Sequence, residues 1–228
     1  MDKAITLKNI NKVYGNKIKT QVLFDIDLSF EANSFNAIIG ESGSGKSTLL
    51  NIIGTLDQPT SGEVYIDGFR TDTLNKVALA KLRNQTMGFI FQFHYLLPEF
   101  TAKENVLLPY QIAHYKVPKD IEAWADQLLD LVGLSKVANN LANDMSGGQQ
   151  QRTAIARSLI NRPKIILADE PTGNLDSDTT ETVYQILREI NAKYQTTFVV
   201  ITHDQRIAEK TDRIIEVKDG RIHLDLRR

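Results

Sequence analysis

The chain has no cysteine and only one tryptophan among 228 residues. Without thiols it can form no disulfide and no thiolate-ligated metal centre, so neither holds its fold together. The lack is compatible with a cytosolic location. No segment approaches the roughly 18 consecutive apolar residues that a membrane span requires. The first residues, Met1-Asp-Lys-Ala-Ile-Thr-Leu-Lys8, alternate polar and apolar rather than offering the apolar core of an export signal. A role at a membrane would therefore need the span of a partner. Charge of one sign is scarce as well: Lys plus Arg is 27 and Asp plus Glu is 28, a formal net charge of −1. That balance provides no general basic face for nucleic acid, and no nucleic-acid partner is expected. Repeats, low-complexity tracts and long linkers are also missing.

What is present reads as an α/β chain. Ala4–Val13 and Val22–Phe30 alternate like half-buried strands, and Ser61–Gly68 reads as another short strand between turns. These early strands are expected to be antiparallel and to form a meander. Phe35–Ile39 is an apolar run ending at Gly40, and Leu49–Gly54 carries a helical apolar face. Thr73–Arg83, Ala102–Tyr115 and Pro118–Val132 have helical periodicity, with Pro118 near a first turn. Residues 93–160 are expected to form a mostly helical insertion. Further on, Ile165–Ala168 and Thr197–Ile201 are apolar throughout, as parallel strands covered on both faces are. A long helix is expected over Ser177–Tyr194, and a closing hairpin around Asp219-Gly220. The expectation is a single domain: a catalytic core and antiparallel β subdomain from 1–92 and 161–228, and a helical subdomain over 93–160.

Gly40-Glu-Ser42-Gly43-Ser44-Gly45-Lys46-Ser47-Thr48 fits G-x-x-x-x-G-K-[ST] in full, between an apolar strand and a helical run. Backbone N–H groups can wrap phosphate oxygens only where the chain curls tightly, and the glycines permit the curl. The loop runs into a helix N-terminus, whose free N–H groups and dipole favour anions. Lys46 supplies a point charge to the terminal phosphates, and Ser47 offers a hydroxyl to Mg²⁺. ATP and Mg²⁺ are the cofactors expected.

Asp169 and Glu170 end the apolar run Ile165-Ile-Leu-Ala168. Ligands of open α/β sheets lie at that end of the strands. Asp169 is expected to hold Mg²⁺, and Glu170 to accept a hydrogen bond from the attacking water or act as general base. His203 follows the next apolar run. It reads as a surface or packing residue or, if the two strands are neighbours, as a contact to the γ-phosphate.

Ser146-Gly147-Gly148-Gln149 opens the helical segment Thr153–Ile160. With the phosphate loop and the acid pair it resembles the nucleotide-binding subunits of ABC transporters, across essentially the whole chain. The resemblance implies the ABC-type P-loop NTPase fold with an antiparallel β subdomain and a helical subdomain. It implies that Ser146, Gly147, Gly148 and Gln149 press on the γ-phosphate of ATP held by a second copy, in a two-fold homodimer with two ATP molecules at one interface. It also implies that Tyr14 stacks on adenine and that Gln92 links Mg²⁺ and the attacking water to a membrane partner. Asn174-Leu-Asp176 then contacts the opposite subunit, with Asp176 also serving as a helix N-cap. His203 matches the switch histidine of the family. Met145 stands where many members have Leu, and Glu170 is an acid, so hydrolytic competence is expected.

Gln92-Phe-His-Tyr-Leu-Leu-Pro-Glu-Phe-Thr101, followed by Glu104-Asn-Val, is similar to the LolD and MacB group, which serves lipoprotein release and macrolide or peptide export with FtsX-like permeases. That similarity implies an integral-membrane permease partner, an extracytoplasmic adaptor reached through it, and a peripheral place on the cytoplasmic face of the membrane. Phe93, Tyr95, Leu96, Leu97 and Phe100 are expected to offer an apolar groove to a short helix of the permease. A soluble ABC ATPase of DNA repair or translation is the competing reading. It lacks support, because neither coiled-coil heptads nor a second phosphate loop is present. An importer ATPase is a further alternative.

Overall fold

The computed structural model describes residues 2–15 and 17–228. Two sheets share the strands. A four-stranded antiparallel sheet runs in the order β2 (Thr20–Glu31), β1 (Lys3–Tyr14), β4 (Ser61–Ile66), β5 (Phe69–Arg70). It is not the meander expected. β3 (Phe35–Ile39) leaves for the other sheet, and β4 returns beside β1 rather than β2. The reason is composition. β3 is apolar apart from the buried Asn36 and needs cover on both faces, which an edge position here cannot give.

The second sheet has six strands in the order β10 (Arg221–Arg227), β9 (Arg213–Lys218), β3, β8 (Thr197–Ile201), β7 (Ile165–Asp169), β6 (Met87–Phe91). β9, β3, β8, β7 and β6 are mutually parallel, and β10 closes an antiparallel hairpin onto β9. Alternate residues feed two cores. Ile165, Leu167, Val199 and Ile201 join α1 (Lys46–Ile53) and the antiparallel sheet on one face. Ile166, Ala168, Phe198 and Val200 join the helical side on the other. Phe35 stacks on Phe198 with centroids 4.9 Å apart, at the centre of that second core.

The helical side contains α3 (Ala102–Ala113), α4 (Lys119–Leu131), α5 (Gly147–Leu159) and α6 (Ser177–Tyr194); α2 (Lys76–Thr86) precedes β6, and the short α7 (Gln205–Ala208) follows β8. Caps explain the starts. Thr101 and Glu104 form a reciprocal capping box on α3, and Asp176 accepts from the amides of Asp178 and Thr179 on α6, while Pro118 stands at the start of α4 without a side-chain cap. Residues 93–101, counted with the helical insertion in the sequence, form a loop instead. Among the described residues no helix is long and apolar enough to cross a membrane.

Candidate active site

Four neighbouring parallel strands each deliver one loop to the same edge of the sheet. The phosphate loop leaves β3, His203 follows β8, Asp169 and Glu170 end β7, and Gln92 follows β6. The carboxyl edge of a parallel sheet is where ligands of such folds bind.

The phosphate loop is shaped by three glycines with positive φ: Gly40 at 146°, Gly43 at 79° and Gly45 at 105°. A Cβ on Gly40 would lie 2.1 Å from the Val217 carbonyl oxygen, and one on Gly45 would lie 2.9 Å from the Leu23 side chain. The loop is therefore wedged against β9 and β2. Gly43 has no such neighbour and needs glycine only for its turn. Lys46 Nζ donates to the carbonyls of Gly40 and Glu41 at 2.9 and 2.7 Å, which folds the ammonium over the loop. Ser44 is buried, and its hydroxyl finds no partner among the described residues. An anion in the loop would meet that hydroxyl.

The Ser47 side chain stands beside the Asp169 carboxyl. Burial pushes the Asp169 carboxyl above its usual range, the Glu170 charge pushes the same way, and Ser47 and Lys46 oppose both. A half-buried carboxylate beside a hydroxyl is a hard-oxygen pair, and it suits Mg²⁺. Ser47 and Asp169 would hold that ion, which when bound neutralises phosphate charge.

Glu170 sits in the left-handed region at φ 50°, and its amide donates to the Ile201 carbonyl at 3.1 Å. The twist swings its carboxylate sideways from Asp169, and Oε2 lies 2.5 Å from His203 Nδ1. Since β7 and β8 are paired with Asp169 opposite Ile201, the γ-phosphate reading of His203 gains a partner at the acid end. Gln92 follows Phe91, the residue paired with Asp169. Its amide donates to Asn174 Oδ1 at 3.3 Å, and it packs over Gly173, where a Cβ would come within 2.9 Å. Gln92 thus contacts the loop that follows Glu170.

The signature segment stands apart from this loop. Ser146 caps α5: its hydroxyl accepts from Gln149 N at 3.3 Å, and Gln149 Oε1 accepts from Ser146 N at 2.9 Å. The Ser146 O–H proton stays free to donate outward. The two glycines differ in purpose. A Cβ on Gly148 would meet the Thr179 methyl at 2.9 Å, so its bareness serves packing against α6. Nothing among the described residues lies within 4 Å of where a Gly147 Cβ would sit, so Gly147 is the residue that presents backbone to an incoming group. Met145 is buried in the helical core, as an apolar filler should be.

Sequence reasoning missed a polar junction. Arg157 of α5 donates to the carbonyls of His94 and Tyr95 at 2.5 and 2.6 Å, and both of those residues have positive φ, 61° and 49°. Gln151, fully buried, donates to the Pro171 carbonyl just past Glu170. Burial holds the His94 imidazole below its usual range, with the neighbouring Gln151 side chain opposing it. An arginine inside Ala154-Ile-Ala-Arg157, on a helix with an apolar face, was the available signal. Next to this junction lies an open groove of about 500 Å³, lined by Phe89, Phe91, Tyr95, Pro109 and Ile112 among others. Of the five residues expected to form such a groove, Tyr95 lines it. Phe93 and Leu97 are exposed on the loop beside it, and Leu96 and Phe100 are half-buried. Strand β6 and helices α2, α3 and α5 supply most of the rest, because the loop alone has no second wall.

Tyr14 ends β1 and is 40% exposed. Its hydroxyl donates to Asp57 Oδ2 at 2.6 Å, so the ring is held with one face to solvent.

Comparison with known proteins agrees with these features. The family described as ABC transporter matches residues 23–173. The chain is 49% identical over 224 residues to the lipoprotein-releasing system ATP-binding protein LolD 1 of Rhodopseudomonas palustris, covering 97% of this chain and 99% of that one. It is 48% identical to LolD of Anaeromyxobacter dehalogenans, covering 97% and 93%. The ATP-binding cassette MJ0796, solved as a dimer in a post-hydrolysis state with ADP and Pi, superposes with a TM-score of 0.90 at 43% identity, 98% of each chain being covered. The cbiO1 subunit of Clostridium perfringens, part of the cbiONQ transporter complex, superposes at 0.88 with 27% identity, covering 99% of this chain and 88% of that one. With its phosphate loop, acid pair and signature helix in place, this chain belongs to the ABC transporter family, as an ATP-binding and ATP-hydrolysing cassette of the LolD type.

Proposed function

We propose that this cassette works as a two-fold pair that closes on two ATP molecules and drives an FtsX-like permease, from the cytoplasmic face of the membrane. The observation that carries the pairing is the outward-facing Gly147 beside the free Ser146 hydroxyl. The neighbours of Gly148 are Thr179 and Arg152, whereas those of the phosphate loop are Val217, Leu23, Val22 and Gly220. The two motifs therefore face different surroundings in one chain, and a second copy is what brings them together.

In this reading the amides of residues 42–48 and Lys46 hold the phosphates. Ser47 and Asp169 hold Mg²⁺, with Gln92 as a further oxygen. Glu170 takes the proton of the attacking water, while the bond from the γ-phosphorus to the bridging oxygen breaks and ADP leaves. His203 orients Glu170 and faces the γ-phosphate, and Ser146 of the second copy stabilises its charge. Tyr14 stacks on the adenine. Residues 93–160 act as a helical subdomain that moves against the core formed by 1–92 and 161–228. The groove beside Tyr95 receives the permease helix, and the Arg157 and Gln151 contacts connect that groove to the end of β7. Lipoprotein release is the cargo process favoured by the LolD relatives, with macrolide or peptide export as alternatives, and an extracytoplasmic adaptor would be reached through the permease.

The test is capture from native membranes with tagged Glu170→Gln protein, ATP and Mg²⁺, the partners being identified by mass spectrometry. A permease with few spans and a large extracytoplasmic domain supports the reading. A many-span importer permease overturns the branch but leaves the ATPase intact. Tyr95→Ala with Leu97→Ala should then lower capture while sparing basal hydrolysis.

A further inference from the structure

Lysine is seldom buried, yet Lys12 is only 9% exposed. Its ammonium donates to Asp57 Oδ1 at 2.6 Å and to the Gln58 carbonyl at 2.7 Å, and lies 4.6 Å from the centroid of the Tyr14 ring. Residues two apart on a strand share a face, so β1 places this cation beneath the ring of Tyr14. The other Asp57 oxygen accepts the Tyr14 hydroxyl at 2.6 Å. One carboxylate thus grips both the aromatic and the cation under it. Burial alone would raise the Asp57 carboxyl; the bonds from Lys12, Tyr14 and the Gln58 amide outweigh it and hold the group ionised.

Asp57 is itself fixed to the phosphate-loop helix. The amides of Leu56 and Asp57 donate to the carbonyl of Asn51 in α1, at 2.9 and 3.2 Å. The same turn is tied to β1: Thr60 N donates to Asn11 O at 2.8 Å, and Val13 N donates to Thr60 Oγ1 at 2.9 Å. The Thr48 side chain, two residues after Lys46, lies beside the Tyr14 hydroxyl. The hydrogen bonds run without a break from α1 through the 56–60 turn to β1.

We infer that Asp57, with Lys12, is a positioning residue that fixes the Tyr14 ring at a set distance from the phosphate loop, so that base and phosphates of one nucleotide are gripped by a single rigid unit. This rests on the reading of Tyr14 as the adenine platform. The ring has one face on Lys12 and one left for the purine. The clamp acts on nucleotide capture and not on hydrolysis, since none of its groups lies among Glu170, His203 and Asp169.

The experiment is steady-state ATPase kinetics of the full chain, together with competition by inorganic tripolyphosphate, which has phosphates but no base. Asp57→Asn keeps the shape and removes the charge. It should raise the KM for ATP about three- to tenfold, the net worth of one ordinary hydrogen bond, with kcat within about twofold. Tyr14→Ala should raise KM about tenfold or more, the usual worth of one base stack. Tyr14→Phe, at a half-exposed position that no core depends on, should raise it less, and adding Asp57→Asn to Tyr14→Phe should add little because the two share one bond. Tripolyphosphate inhibition should be the same in all of them. An unchanged KM in Tyr14→Ala would sink the platform reading itself. A raised KM in Tyr14→Ala with an unchanged one in Asp57→Asn would overturn the clamp alone. Equal weakening of tripolyphosphate and ATP in Asp57→Asn would also overturn it, by showing that the residue acts through α1 and the loop.

Discussion

Glu170 Oε2 and His203 Nδ1 lie 2.5 Å apart across the ends of two adjacent parallel strands. An ionised carboxylate only accepts, so Nδ1 carries the proton and the imidazole holds the carboxylate by its side. Glu170→Gln keeps the size and removes the base. Its kcat should fall about 10²–10⁴-fold, the usual worth of a general base, while ATP is still bound. With millimolar ATP the variant should elute as a pair of copies from a sizing column. Turnover near that of the parent would remove Glu170 from the chemistry.

Lys46 folds over the loop through the Gly40 and Glu41 carbonyls. Lys46→Ala should lose both hydrolysis and nucleotide-dependent stabilisation. For the parent, ATP at a hundred times its Kd should add about 2.7 kcal/mol, roughly 2–4 °C per kcal/mol for a chain of this size. A thermal shift with ATP that survives in Lys46→Ala would contradict the assignment.

Arg157 is the support of two residues held at positive φ, His94 and Tyr95. Arg157→Met keeps the apolar stem and leaves two carbonyls without their donor. The cost should be about 2–4 kcal/mol, a fall in Tm of roughly 4–16 °C. Differential scanning calorimetry reads it directly, and an unchanged Tm would show that the loop does not depend on this arginine.

Arg213 is buried, and its guanidinium forks onto Asp225 with two contacts of 2.6 Å that join β9 to β10. The Arg213 hydrogen bonds hold the Asp225 carboxyl below its usual range against a smaller effect of burial. The stability this gives is present above the carboxyl's unfolded pKa and is lost as pH falls through its lower folded value. Asp225→Asn should therefore be less stable than the parent at neutral pH by about 1–3 kcal/mol, the cost of a broken charged hydrogen bond. The gap should narrow in acid. A gap that stays constant from neutral to acid in urea melts would rule out the ionic origin.

Much of this was legible because chemistry and local pattern coincide. Phe35–Ile39, Ile165–Asp169 and Thr197–Ile201 are apolar at four of five positions each, and a sheet covered on both faces satisfies that. The glycines of the phosphate loop announce their own curl. Three things were not legible. The pairing of β4 with β1 is a long-range choice made by where β3 is buried. The left-handed backbone at His94, Tyr95 and Glu170 belongs to residue types that give no local sign of it. The clamp on Tyr14 joins residues 12, 14 and 57, which no spacing rule connects.

The phosphate loop is held from a distance in the chain as well as in space. Gly220 N donates to Ser44 O at 3.0 Å, Phe24 N donates to Gly220 O at 2.9 Å, and the Val217 carbonyl crowds Gly40. Residues 217–220 leave the ribosome roughly ten to thirty seconds after residue 44 at ordinary elongation rates of about 5–20 residues per second. A growing chain that already carries the whole glycine loop thus lacks the hairpin that shapes it. ATP has no finished seat on the nascent polypeptide, and nucleotide capture is reserved for molecules whose synthesis has passed β9 and its turn.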